Sequence, residues 1–164
     1  MATAFEFPIA AKTVTVNAAF FQEIKEVSDE LWQLLAQVRH VCRRAIATTE
    51  VGWQLVEMLS ELRDQLALHF ALEEAYGYFD DPVYVEPHVC QRADDLRHEH
   101  RELFQSLCDI VDRAEDLMYD GKLDLLSSRI PVRLETFSDQ LQAHEQRENN
   151  LIFEAMNDDI GVGD

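Results

Sequence analysis

The chain has 164 residues, of which 32 are acidic and 14 basic, for a formal charge of −18. Such a surface repels phosphate backbones and anionic headgroups, so neither nucleic acid nor a membrane surface is an expected partner. With only five glycines, four prolines and no 18-residue apolar run, a loop-rich all-β protein and a transmembrane helix are both disfavoured.

The length suits one domain, and the apolar periodicity predicts an all-α, antiparallel up-down four-helix bundle over residues 17–158. Residues 1–16 read as a peripheral segment and 159–164 as a flexible tail. MATAFEFPIAAKTVTV lacks the basic and apolar regions of a signal peptide. Cys42, Cys90 and Cys108 form no CxxC and read as reduced thiols, so a cytoplasmic location is expected.

In the first helix, Ile24, Leu31, Leu35, Val38, Cys42 and Ala45 keep a spacing of three and four if Ser28 is counted with them, and Asn17 is a suitable N-cap. The second is capped by Thr48 or Thr49. Its stripe of Leu55, Leu59, Leu62, Leu66 and Tyr76 is complete only with His69 and Glu73. The two prolines of DDPVYVEP, residues 80–87, predict a loop. The third helix aligns Leu96, Leu103, Leu107, Ile110, Ala114 and Leu117 through His100, and Asp120-Gly121 marks its end. In the fourth, Leu134, Phe137, Leu141, Leu151 and Ala155 require His144 and Glu148. Pro131 either opens this helix or kinks it.

The helices form two similar pairs. SDELWQLL (28–35) matches HRELFQSL (100–107), which sets Ser28 opposite His100. LALHFALEEAYGYF (66–79) matches LQAHEQRENNLIF (141–153) at Leu, His and Glu. Counted from the helix ends, Ser28, His69, His100 and His144 fall at one level, roughly 15–20 Å along an antiparallel bundle. The polar residues of the four stripes therefore converge.

Residues four apart on a helix share a face, so His69 with Glu73, and His144 with Glu148, can each offer a nitrogen and an oxygen to one ion. Buried carboxylates cost several kcal/mol each unless paired with charge or metal, and no Lys or Arg lies on the four stripes. Imidazole plus carboxylate without thiolate suits iron, manganese or zinc. A ferritin-type Glu-x-x-His motif is missing; its nearest counterpart is Asp95-x-x-His98. His98, His40 and His88 read as solvent-facing. Glu74, Glu145 and Asn149 flank the pairs, either as outer hydrogen-bond partners or as plain surface. Trp32, Phe70, Phe104, Phe137 and Tyr76 read as core, with Tyr76 in reach of a hydrogen bond to the cluster. Cys42 lies too far from Ser28 to share in a site.

These His-x-x-x-Glu pairs and the third-helix His100 resemble the hemerythrin-like, HHE cation-binding family, over nearly the whole chain. The resemblance implies a non-haem di-iron centre (Fe as cofactor) with metal ligands His69, Glu73, His100, His144 and Glu148, the two glutamates bridging. The family's first-helix histidine is replaced by Ser28, in a Ser-x-x-Leu setting. One metal position is then short of a protein ligand. An exogenous ligand fills the gap, only one metal binds, or the site has weakened into a structural one. The implied role is binding or sensing of O2 or NO, or iron sensing or storage. The alternatives are an iron-dependent enzyme reducing O2 or peroxide, which is the less favoured, and a metal-free bundle acting as a protein-interaction module.

Overall fold

The computed structural model describes residues 18–78 and 87–158. The expectations for the first 16 residues, the Asn17 cap, residues 80–86 and the 159–164 tail lie outside the described residues. Four helices follow in order: α1 Ala18–Arg43, α2 Thr49–Tyr76, α3 Pro87–Tyr119 and α4 Leu123–Asp158. Short connections after α1 and α3 oblige each pair to run antiparallel. α1 packs on α2 and α4, and α3 packs on the same two, which makes a ring of neighbours with little contact across the diagonal. No helix among the described residues is long and apolar enough to cross a membrane.

The helix ends follow local chemistry. Thr48 is extended, and its hydroxyl accepts the Val51 N–H at 3.3 Å, satisfying one of the donors that a helix start leaves open. Thr48→Ala should cost about 1 kcal/mol in a denaturant melt. Pro87 opens α3, where the missing N–H of proline removes no helical bond. Gly121 turns the chain between α3 and α4 with φ +68°, a backbone region that side chains with a Cβ avoid.

One of the two readings of Pro131 is excluded, and one expectation is corrected. Pro131 does not open α4, which starts eight residues earlier at Leu123; it is an interior proline that leaves the Ser127 carbonyl without its helical donor. Ala45 is exposed, because α1 ends at Arg43 and the helical period lapses; Ile46 enters the core in its place. None of the three cysteines forms a disulfide. Burial, reinforced by the Glu135 carboxylate, pushes the Cys42 thiol up to about 11, so it is a poor nucleophile.

Two apolar clusters fill the bundle. The larger contains Leu31, Leu66, Phe70, Leu103 and Leu141 among others; the smaller joins Tyr78, Val89, Ala93, Leu96, Leu151, Ile152 and Ala155. Along α3 the chain passes from Leu96 to Leu103, and along α4 from Leu141 to Leu151, with His100, His144 and Glu148 between. His69 and Glu73 occupy the matching gap on α2. The polar residues thus form a layer between two apolar clusters.

Candidate metal centre

All five expected residues are buried: His69 and His144 at 0% exposure, Glu73 at 2%, His100 at 3% and Glu148 at 4%. Their donor atoms form two overlapping groups. Glu73, His100, His144 and Glu148 offer atoms that all lie within 4.8 Å of one another, and so do His69, Glu73 and Glu145. Glu73 joins the two groups, with Oε1 at 3.0 Å from His69 Nε2 and Oε2 at 3.3 Å from His100 Nε2. Glu148 was expected to bridge as well. It turns Oε1 toward His100 Nε2 (3.4 Å) and His144 Nε2 (3.2 Å) and belongs to one group only.

The orientation of the rings matters more than their proximity. His100 Nδ1 lies 3.1 Å from Glu74, and His144 Nδ1 lies 2.9 Å from Glu99, which also pairs with Arg147. An imidazole that donates its Nδ1–H to a carboxylate carries a lone pair on Nε2, which is the arrangement of a metal-ligating histidine with its outer partner. Both Nε2 nitrogens face Glu148 Oε1. His144 Nε2 and Glu73 Oε2 are buried without a hydrogen-bond partner, close to neighbours but not aimed as hydrogen bonds. The donor set of nitrogens and hard oxygens that meets here is chemically suited to a cation. Phe70 stacks on His100, with centroids 4.1 Å apart and planes 5° from parallel, and meets His144 edge-on, so both rings are held in place.

A model of the hemerythrin HHE cation-binding domain matches residues 19–156, almost the full length of the bundle. The chain belongs to this family. No curated protein and no solved structure matches it.

Without an ion, the hemerythrin-like site balances its charge with protons. Burial alone would lower the His69 pKa, but hydrogen bonding to Glu145 and Glu73 outweighs it and pushes the imidazole up to about 10. His144 is likewise raised, against its burial, chiefly by Glu148. Burial raises Glu73. Burial would raise Glu148 too, yet its contacts with His100 and His144 pull it down to about 2. A metal ion would therefore have to displace protons to enter.

Two contributors escaped the sequence reading. Glu99 looked like any other surface acid, and only the packing of α3 on α4 brings it to His144. Tyr78, which the sequence reading did not single out, donates its hydroxyl to Glu148 Oε1. α2 ends at Tyr76, and Gly77, at φ +66° with its N–H on the Glu73 carbonyl, swings the next side chain inward. The Tyr76 side chain lies outside the described residues. Burial and the adjacent Glu148 raise the Tyr78 pKa, so the phenol remains a donor. Gln65, one turn before His69, has its Oε1 buried without a partner. Glu74 and Glu145 both reach the site histidines. His40, His88 and His98 are exposed and join neither donor group. Ser28 is half-buried on α1, three residues before Leu31.

Proposed function

We propose that this hemerythrin-like protein binds iron in the bundle core, one ion for each donor group, and uses it to bind or sense O2 or NO, or to sense or store iron. The observation that carries the reading is the pair of buried, partnerless atoms His144 Nε2 and Glu73 Oε2 at the meeting point of the histidines and carboxylates. Iron bound there would supply a redox-active ion with a position open to a diatomic ligand. Access is provided by a groove of about 640 Å³ between α2 and α3, where Arg97, His98 and Arg101 line the exposed part and Phe70 and His100 the buried part. Glu74 and Glu99 hold two rings from behind, and Tyr78 holds Glu148. A reducing, cytoplasmic setting suits iron(II) supply and the three thiols.

A metal-free interaction module is the second reading. It is favoured by the protons that His69 and His144 can carry, which offset the buried carboxylates without an ion.

Elemental analysis of protein purified without chelator, then loaded anaerobically with iron(II), separates the two. The iron reading expects metal close to one ion per donor group and a changed absorption spectrum on exposure to O2 or NO. No retained metal after loading would leave the metal-free reading.

A further inference from the structure

The family's first-helix histidine is absent, yet the position it would serve is not bare. Glu145 Oε1 lies 2.8 Å from His69 Nε2, and Glu73 Oε1 lies 3.0 Å from the same nitrogen. We propose that Glu145 is itself a metal ligand, supplying from α4 the donor that Ser28 no longer supplies from α1. This rests on the iron-binding reading above. The centre is then asymmetric, with His100, His144, Glu148 and Glu73 on one side and His69, Glu145 and Glu73 on the other.

Which nitrogen Glu145 approaches distinguishes this role from that of an outer partner. Glu74 and Glu99 stand behind their rings, at the Nδ1 nitrogens of His100 and His144. Glu145 stands in front, at Nε2, beside the bridging Glu73. One Nε2–H cannot serve two carboxylates well, whereas an ion replacing that proton can take an oxygen from each. The back of the ring has no carboxylate: His69 Nδ1 is buried without a partner. Glu145 is also largely withdrawn from water, with 20% of its side chain exposed, unlike Glu74 at 54%.

The internal repeat supplies an independent reason. Matching α2 to α4 sets Phe70 opposite Glu145, as matching α1 to α3 sets His100 opposite Ser28. Phe70 stacks on His100. The same relation carried to the other half would set Glu145 against the position that Ser28 holds on α1. The two departures from symmetry complement each other: a ligand lost from α1 and a ligand gained on α4.

Anaerobic iron(II) titration of the wild type, Glu145→Gln and Glu145→Asp, followed by desalting and elemental analysis, tests the proposal. Glutamine keeps the size of the side chain and an oxygen that can accept from His69, so a purely hydrogen-bonding role would survive it. The proposal expects Glu145→Gln to lose one of the ions that the wild type holds, with a helical circular dichroism spectrum unchanged, and Glu145→Asp to keep more metal than the glutamine variant. Equal stoichiometry and affinity in wild type and Glu145→Gln would overturn it. So would a wild type that holds one ion, an outcome that leaves iron binding intact. A wild type with no metal at all would instead defeat the underlying reading.

Discussion

Glu73→Gln should strip the centre more completely than any other single change. Its two oxygens serve different donor groups, Oε1 toward His69 and Oε2 toward His100, so both positions lose an anionic ligand together. Removing a partner that only supports a ligand costs roughly 10–100-fold in metal affinity; the loss of a shared carboxylate should exceed about 100-fold at each position on the same scale. Glu148→Gln should be milder, because Glu148 contributes to one group and the His69 side retains Glu73. Iron(II) affinity and stoichiometry, measured side by side with His98→Ala as control, decide the matter. His98 is exposed and, among the described residues, its ring bonds its own helix at the Asp94 carbonyl, so its variant should match the wild type. Equal metal content in Glu73→Gln and wild type would refute the bridging assignment.

Metal loading should change how stability depends on pH. In the metal-free chain the His69 pKa lies at about 10 against an ordinary 6.5. The folded state holds that proton more tightly, so the stability it contributes is complete below 6.5 and is lost as pH rises toward about 10. Glu148 works in the opposite sense: its contribution is present above 4.5 and is lost as pH falls toward about 2. Iron takes the place of the His69 proton and removes the alkaline loss. The melting temperatures of iron-loaded and chelated protein should therefore diverge as pH rises from 6.5 to 9. A ligand at about a thousand times its Kd adds about 4 kcal/mol, or roughly 10 °C in a chain of this size. Thermal melts followed by circular dichroism under anaerobic conditions measure the gap. Identical melts with chelator and with iron at every pH would contradict metal binding.

The bundle and its buried His and Glu residues were legible because both are written in one periodicity. His69, Glu73, His100, His144 and Glu148 interrupt leucine stripes without breaking the spacing of three and four, which marks them as inward-facing before any coordinates exist. Helix ends were legible only where a residue has one local use. Thr48 caps and Gly121 turns, but Pro131 allowed several readings, and the α4 residues before it decided that the helix starts earlier.

The polar surroundings of the centre were not legible in the same way. Glu99 stands among 32 acidic residues and carries no periodic mark; its role depends on α3 lying against α4. Tyr78 lies beyond the glycine turn that ends α2, so no helical period reaches it. Glu145 was visible as a neighbour of His144, but the histidine it meets is His69, 76 residues away on another helix. By itself the sequence determined the four helices and the five inward-facing His and Glu residues, because local periodicity decides which side chains face inward. Tertiary structure alone decided which atoms of those residues meet. That Glu73 reaches both groups, that Glu148 serves one, and that Glu145 stands in front of His69 are consequences of how α2, α3 and α4 pack, and no spacing along a single helix encodes them.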